Sequence, residues 1–408
     1  MSQQQQLEHV GQPLLERYAG VVDELVKQLA ETAVERDRTG GTAVKEKELL
    51  RASGLLHLLI PEEYGGLGGT WSDVLYITRR IARVDSSIAH LFAYHFVNLV
   101  TPHMFGSAEQ KAFYYRETIS RNLFWGNAFN PVELKVFATK QGEHYVVNGT
   151  KGFCSGATDS DYLILSALRS EDSSSFIAIV PTRREGIYVH NDWDNFGQRQ
   201  TDSGQVTFTN VIVKEAEVLH AVKRSNSEFI RLREYLALLV LGQVYLGIAE
   251  GAFEAAKSYT RTTTRAYRKS GVAKASEDPY ILKHYGEMWV ELSSARLLAD
   301  QAAARFDQAW EHEADLHGDQ FESTIEAIIL ANAAATKVGV GLTSRIFEVM
   351  GARSTSSQYG FDRYWRNIRT HTLHDPLDYK LKELGKWALL DSFQVGDSLL
   401  IKQEDKTP

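Results

Sequence analysis

The feature that most limits the fold is a double change of hydrophobic period along the chain. Up to about residue 120, apolar residues recur at helical spacing over Leu14 to Arg36, Val44 to Gly54 and Trp71 to Asp85. The turn segment IPEEYGGLGGT at 60–70 breaks that pattern. From about 122 to 220 the runs LKVFATK, HYVVNGTKGFCSG, DYLILSAL, SFIAIVP and QVTFTNVIV are short and rich in β-branched and aromatic residues, with turn formers between them. Long helical patterns return at 226–266, 276–312, 321–351 and 377–402. The order predicts an α+β multidomain chain. It comprises a helical domain at 1–120, a β-barrel-like or sandwich domain at 121–225, and a four-helix bundle at 226–408. Gly247, Gly251 and Ala255, four residues apart, mark a stripe where another helix can come close.

Several function classes are excluded early. Neither GxGxxG nor GxxxxGKS occurs, so a dinucleotide or nucleotide held on a parallel sheet is not expected. The net charge of −7, without a long basic run, argues against nucleic acid. Cys154 is the only cysteine, which rules out an internal disulfide and a cysteine-built metal cluster. MSQQQQLEHV lacks the pattern of a signal peptide. The most apolar stretch, Leu236 to Ala249, is interrupted by Gly242 and Gln243 and is short for a membrane span. A soluble cytoplasmic protein with no membrane partner is the expectation.

Titratable groups concentrate in RTHTLHDP, 369–376. Asp375-Pro376-Leu377-Asp378 predicts a helix start, with Asp375 as N-cap and Pro376 at the first helical position. His371 and His374, three apart, fall on one side of a turn. With Asp375, and with His90 or His95 added, they could ligate a metal, but the spacing is not that of a zinc protease. General acid–base work or hydrogen-bond donation fits them better. His90 and Tyr94 share one helix face in SSIAHLFAYHF, either as satisfied core groups or as a site wall. Asn127 in WGNAFN and Ser155 in FCSGA are either turn formers or partners for a flat heteroaromatic ligand. Trp193 precedes the loop GQRQTDSG and is either a pocket wall or core. Arg261, Arg265 and Arg353, the last beside Ser354 and Thr355, are anion-binding candidates or solvated cations.

The order of these domains resembles the acyl-CoA dehydrogenase fold, and IPEEYGGLGG and VVNGTKGFCSGA are similar to segments of that family. TAVERDRTGG, HLFAYH, WGNA, NGTKGFCSGA, RQTDSG, YLGIAEGA, FEVMGAR, YGFDRYWRN and RTHTLHDP resemble its flavin-dependent monooxygenase branch, nearest the dibenzothiophene monooxygenases. Where the dehydrogenases keep a catalytic glutamate this chain has Asp375 followed by Pro376, with two histidines upstream. YTRTTTRAY and MGARST replace the segments that hold the adenine half of FAD, so the shorter FMN is implied.

The resemblance implies that Ser155 bonds the flavin near N5, with Asn127 and Phe153 along the ring edge and Trp193 walling the pocket. It places His374 over the reactive C4a carbon with His371 beside it, and His90 and Tyr94 in the same cavity. Arg265, Arg353, Ser354 and Thr355 would hold the phosphate across a subunit boundary of a homotetramer assembled through the bundle. The implied activity is two-component. A separate NAD(P)H:flavin reductase supplies reduced FMN, and O2 is the co-substrate. A C4a-hydroperoxyflavin oxidises a small hydrophobic organosulfur or aromatic substrate, sulfide to sulfoxide to sulfone. Phenol or amine hydroxylation by the same branch, an FAD-dependent acyl-CoA dehydrogenase with Asp375 as base, and a flavin- or metal-binding protein without oxygenation remain alternatives.

Overall fold

The computed structural model describes residues 13–130, 133–220 and 227–390. Its N-terminal part holds six helices: α1 (Pro13–Thr39), α2 (Val44–Ala52), α3 (Trp71–Ala82), α4 (Ser86–Leu99), α5 (Thr101–Phe105) and α6 (Ala108–Arg121). Local chemistry sets their ends. Thr70 and Asp73 form a reciprocal capping box on α3, Ser107 and Gln110 form another on α6, and Asn122 closes α6 in the left-handed region at φ 51°. Asp85 caps α4 by accepting from the Ile88 N–H. All fourteen residues of α4 are buried. A helix with no solvent face buries its polar residues too, which is why His90, Tyr94 and His95 lie inside.

Seven strands follow: β1 (Trp125–Ala128), β2 (Val136–Gln141), β3 (His144–Lys151), β4 (Tyr162–Arg169), β5 (Ser175–Pro181), β6 (Ile187–Val189) and β7 (Val206–Lys214). They form one sheet in the order β1-β4-β2-β3-β7-β6, with β5 paired to β4. β4 runs parallel to β1 and β2, and the other pairings are antiparallel. Alternation splits the strands between two cores. Leu163, Leu165, Phe176, Ala178 and Val180 enter a core internal to the sheet, while Ile164, Ile177 and Ile179 join the large core shared with the helices.

The C-terminal part contains α7 (Glu228–Thr262), α8 (Pro279–His312), α9 (Gly318–Met350), α10 (Asp362–His371) and α11 (Leu377–Leu390). α9 packs on both α7 and α8, and α10 and α11 lie against it. α7 and α9 are long and apolar enough to cross a membrane, but 89% and 61% of their most apolar windows are buried within the chain. Two expectations shift. The short α10 carries a pattern not read as a helix, because its ten residues are mostly charged or aromatic. α11 begins at Leu377, so Pro376 precedes the helix instead of opening it. Residues 391–402 of the expected last helix lie outside the described residues.

The small-residue stripe is used within the chain. A Cβ on Gly251 would stand 2.0 Å from the Arg83 carbonyl oxygen, and one on Gly247 2.5 Å from the Ala82 Cβ. α3 and the residue after it therefore fill this groove at Gly247 and Gly251. Arg83 and Arg296 clamp the buried Glu250 on the same helix at 2.6 Å and 2.5 Å. Gly251→Ala is expected to cost at least about 2 kcal/mol by overpacking. Gly286→Ala, on an exposed turn of α8 with open space around it, should stabilise by about 0.5–1 kcal/mol. Urea unfolding of the two variants measures both. Equal effects would mean that α3 and α7 are not in backbone contact.

Candidate active site

Three elements bring the histidines together. On α4, His90 and Tyr94 are one helical turn apart and stack, with ring centroids 4.2 Å apart and planes at 24°. The last residue of α10, His371, lays its ring 4.8 Å from His90. From the middle of α7, the Tyr245 hydroxyl donates to the His371 carbonyl at 3.0 Å and holds the end of α10 in place. His374 follows in a tight turn, its N–H donating to the His371 carbonyl at 2.9 Å. Its side chain reaches solvent, unlike the other two.

The charge state follows from burial. Desolvation pushes the His90 pKa down to about 3, and His374 adds a smaller effect in the same direction. His371 is lowered well below the ordinary value, by desolvation first and then by His90 and His374. For His374, partial desolvation lowers the pKa against the opposing pull of Asp375, and Lys380 adds a smaller lowering. Burial pushes the Tyr94 hydroxyl up to about 12. The cluster is therefore neutral at pH 7. Both ring nitrogens of His90 and the Nδ1 of His371 are buried without a hydrogen-bond partner among the described residues. Buried polar atoms left open in this way await a ligand or water.

His95 has another task. Its Nε2 meets the Leu56 carbonyl at 2.9 Å, and the Trp125 N–H meets its Nδ1 at 3.3 Å, which fixes the neutral tautomer with the proton on Nε2. It ties α4 to β1 and is not available as a ligand. Asp375 is also engaged, with the buried Lys380 ammonium 3.2 Å from its carboxylate. Among the described residues, no group of three or more His, Cys, Asp or Glu side chains is arranged to hold a metal ion.

A second wall comes from the sheet. The Asn127 N–H donates to the Ser155 carbonyl at 3.0 Å, and the Asn127 Oδ1 accepts from the Phe129 N–H at 3.0 Å, so β1 and the 153–157 turn move as one piece. Phe153 has φ 55° and is 63% exposed. A large ring in the left-handed region is held against its preference, and here it is presented to solvent facing Trp193, 6.2 Å away at 74°.

GQRQTDSG, read from sequence only as a loop, turns out to orient Ser155. Thr201 donates its hydroxyl proton to the Gln198 carbonyl at 3.0 Å. Its 2.8 Å contact with Ser203 must then use the Ser203 proton, and the 2.8 Å contact between Ser203 and Ser155 must use the Ser155 proton. Ser155 Oγ is left as an acceptor for any further partner. The same Gln198 carbonyl accepts from the Trp193 indole at 2.8 Å. Ser203, Thr201, Gln198 and Tyr245 were missed in the sequence because small hydroxyls and a glutamine in a loop carry no periodic signal.

The phosphate candidates gather elsewhere. Arg261 and Arg265 line a groove of about 540 Å³ together with Arg268 and Lys274, and no acidic residue contributes to its lining. The Thr264 hydroxyl donates to the Met350 carbonyl at 3.3 Å, which joins this groove to the turn bearing Arg353. Ser354 and Thr355 each donate to a carbonyl of their own turn at 2.7 Å. Arg261 lies sixteen residues beyond Tyr245 on α7, about 24 Å at 1.5 Å per residue. That is beyond the reach of a ribityl phosphate arm from a ring at the histidines.

Three acyl-CoA dehydrogenase domain models match the chain: the N-terminal domain at 15–122, the middle domain at 126–211 and the C-terminal domain at 239–379. A probable FMNH2-dependent monooxygenase, SfnC of Pseudomonas putida, is 45% identical over 372 residues, 91% of this chain and 94% of that protein. Methanesulfinate monooxygenase MsuC from Pseudomonas fluorescens superposes with a TM-score of 0.91 at 46% identity, covering 96% of this chain and all of that one. The FMN-bound dibenzothiophene monooxygenase TdsC from Paenibacillus sp. A11-2 gives a TM-score of 0.89 at 41% identity, covering 93% and 98%.

The chain belongs to the FMNH2-dependent monooxygenase branch of the acyl-CoA dehydrogenase family. Named acyl-CoA dehydrogenases stand further off, at 22–23% identity. Together with the Lys380 clamp on Asp375, this removes the dehydrogenase reading. The residues of the monooxygenase fit a flavin on three counts: open buried imidazole nitrogens, an aromatic pair of exposed Phe153 and half-buried Trp193, and a serine whose oxygen is held as an acceptor.

Keeping histidines neutral by burial ties stability to pH. For His90 and His95 the folded pKa is about 3 against 6.5 for the free side chain. Their contribution is complete above about 6.5 and is lost as pH falls towards about 3, at about 1.4 kcal/mol per pH unit for each group. Chemical unfolding at pH 7, 6 and 5 should show that decline. A level or rising free energy across this interval would mean the histidines are not held neutral.

Proposed function

We propose that the protein oxidises organosulfur compounds with FMNH2 and O2, and that the hydroxyl relay ending at Ser155 is what fits the site to reduced flavin. This relay is the observation that carries the reading. Reduced FMN bears a proton on N5, and a Ser155 oxygen constrained to accept is the partner that proton needs. When bound, FMNH2 supplies two electrons to O2, so that one oxygen atom passes to the substrate and the other leaves as water.

The chain's own residues govern the rest. Ser155 holds the N5 proton in place. Asn127, Phe153 and Trp193 border the ring. His374, the solvent-reaching member of the histidine group, donates a hydrogen bond to the oxygen left behind as the substrate is oxidised, with His371 beside it. His90 and Tyr94 form a buried, neutral wall that keeps stray protons from diverting the reaction to H2O2. The basic groove with Arg265 and the adjoining turn with Arg353, Ser354 and Thr355 bind the phosphate of a flavin whose ring sits in a neighbouring subunit, since their own ring site is too distant. A closed homotetramer supplies that neighbour. A separate NAD(P)H:flavin reductase delivers FMNH2. The relatives named above act on an anion, methanesulfinate, and on a neutral heterocycle, dibenzothiophene, and both support the organosulfur class.

His374→Ala is expected to reduce product formation about 100-fold or more, the usual loss for one positioned donor, with an unchanged unfolding midpoint. Ser155→Ala should raise the H2O2 released per FMNH2 consumed, and an unchanged coupling ratio would sink the N5 assignment. Sharing of the flavin site is tested by mixing. Arg265→Ala should weaken FMN binding by about 1.5–3 kcal/mol. Mixed oligomers of Arg265→Ala and Ser155→Ala chains should regain activity above either parent. No gain after confirmed subunit exchange would place each site within one chain.

A further inference from the structure

Two side chains behind Ser155 decide what its hydroxyl can do. Thr201, Ser203 and Ser155 are all buried and stand in a row, with 2.8 Å between successive oxygens. Each hydroxyl owns one proton, so the row has two possible directions. The Gln198 carbonyl chooses between them. It lies 3.0 Å from the Thr201 hydroxyl and has no proton of its own, so the Thr201 proton points to it. Turning that proton to Ser203 would set two bare oxygens against each other in a buried place. The lost hydrogen bond alone costs about 1 kcal/mol. The same carbonyl also accepts from the Trp193 indole at 2.8 Å and from the Thr201 N–H at 3.2 Å, which fixes its own orientation.

The backbone holds the row in register. The Cys154 N–H donates to the Gly204 carbonyl at 3.0 Å, and the Gly156 N–H donates to the Thr201 carbonyl at 2.9 Å. The turn bearing Ser155 is thus laced, on both sides of that residue, to the loop bearing its two partners. Asp202, between those partners, sits at φ 46°, a left-handed bend that brings hydroxyls two positions apart within hydrogen-bond distance. The buried Lys47 ammonium on α2 lies 3.4 Å from the Asp202 carboxylate. A strained residue and an ion pair to a distant helix therefore keep Ser203 opposite Ser155.

We propose that Ser203 and Thr201 are positioning residues that set the preference of the site for reduced over oxidised flavin. This rests on the monooxygenase reading above, in which N5 of the flavin meets Ser155. Both residues act through Ser155. N5 carries a proton in the reduced flavin and a lone pair in the oxidised one. With its own proton drawn to Ser203, the Ser155 oxygen can accept from the first and has nothing to donate to the second. A Ser155 hydroxyl free to rotate would serve either form equally. The selectivity therefore resides in the two hydroxyls behind the contact. By linkage, a site that prefers the reduced form raises the potential of the flavin it holds by the same factor.

The test is a pair of binding constants and does not depend on turnover. The full-length protein is titrated with oxidised FMN, and separately under argon with FMN reduced by dithionite. Wild type should bind the reduced form at least tenfold more tightly, equivalent to a midpoint potential at least about 30 mV above that of free FMN. Ser203→Ala should lower this ratio at least threefold, mainly by tightening oxidised FMN. Thr201→Val, which removes only the hydroxyl, should do the same, while Thr201→Ser, which keeps the donor, should stay within twofold of wild type. Oxidised 5-deaza-FMN has C–H in place of the N5 lone pair. It should bind wild type more tightly than oxidised FMN, and that advantage should vanish in Ser203→Ala. A purely structural role would weaken both redox forms together and leave the ratio unchanged. That outcome overturns the proposal and leaves the flavin reading standing, as does a wild-type ratio near one. Failure of wild type to bind FMN in either form overturns the reading and the proposal with it. If Ser203→Ala does not fold, the contrast between Thr201→Val and Thr201→Ser decides alone.

Discussion

Much of the site depends on one buried side chain in an unfavoured conformation. Gln198 is fully buried, at φ 55°, and bonds in four directions. Its backbone N–H donates to the Asn367 Oδ1 at 2.7 Å, which fixes it to α10. Its side-chain amide exchanges bonds with Ser86 and Ser87 at the start of α4, at 3.1 Å and 3.2 Å. Its carbonyl takes the protons of Thr201 and Trp193. The loop between the sheet and the bundle is thus fastened at one point to the helix of His90 and to the helix of His371. Gly197 beside it permits the approach, since a Cβ there would stand 2.2 Å from the Arg366 carbonyl oxygen. A left-handed glutamine costs about 1–2 kcal/mol. The bonds it makes offset that cost and set the spacing between the two walls.

Electrostatics follow from the same enclosure. α4 has no exposed face, and every imidazole on it is stripped of water. The result is a site whose histidines remain hydrogen-bonding groups but not acids, and the buried Arg233 guanidinium beside it lies over the Phe129 ring. Neutral donors of this kind offer no strong proton source.

The sequence carried the architecture because period and turn chemistry are local. The helical, strand and helical zones, and the pairing of His90 with Tyr94 on one face, could be read from spacing. The joining of His371 to His90 came from the family resemblance, since nothing local places residues 281 positions apart in contact. Arg233 was passed over because an arginine in a helix is usually solvated, and only its burial distinguishes it. The glycine stripe was read correctly as a close approach. Spacing cannot say which helix arrives, and the one that does is α3. The hydroxyl relay was invisible because its direction depends on which carbonyl terminates it.

That direction would sort the two redox states of a flavin placed with N5 at Ser155. An oxidised flavin, with a lone pair at N5, would meet a Ser155 oxygen whose own proton is committed to Ser203, and would be held less tightly than the reduced form that brings a proton. The polarity of a three-hydroxyl chain, set by the Gln198 carbonyl, would then favour the incoming molecule over the spent one.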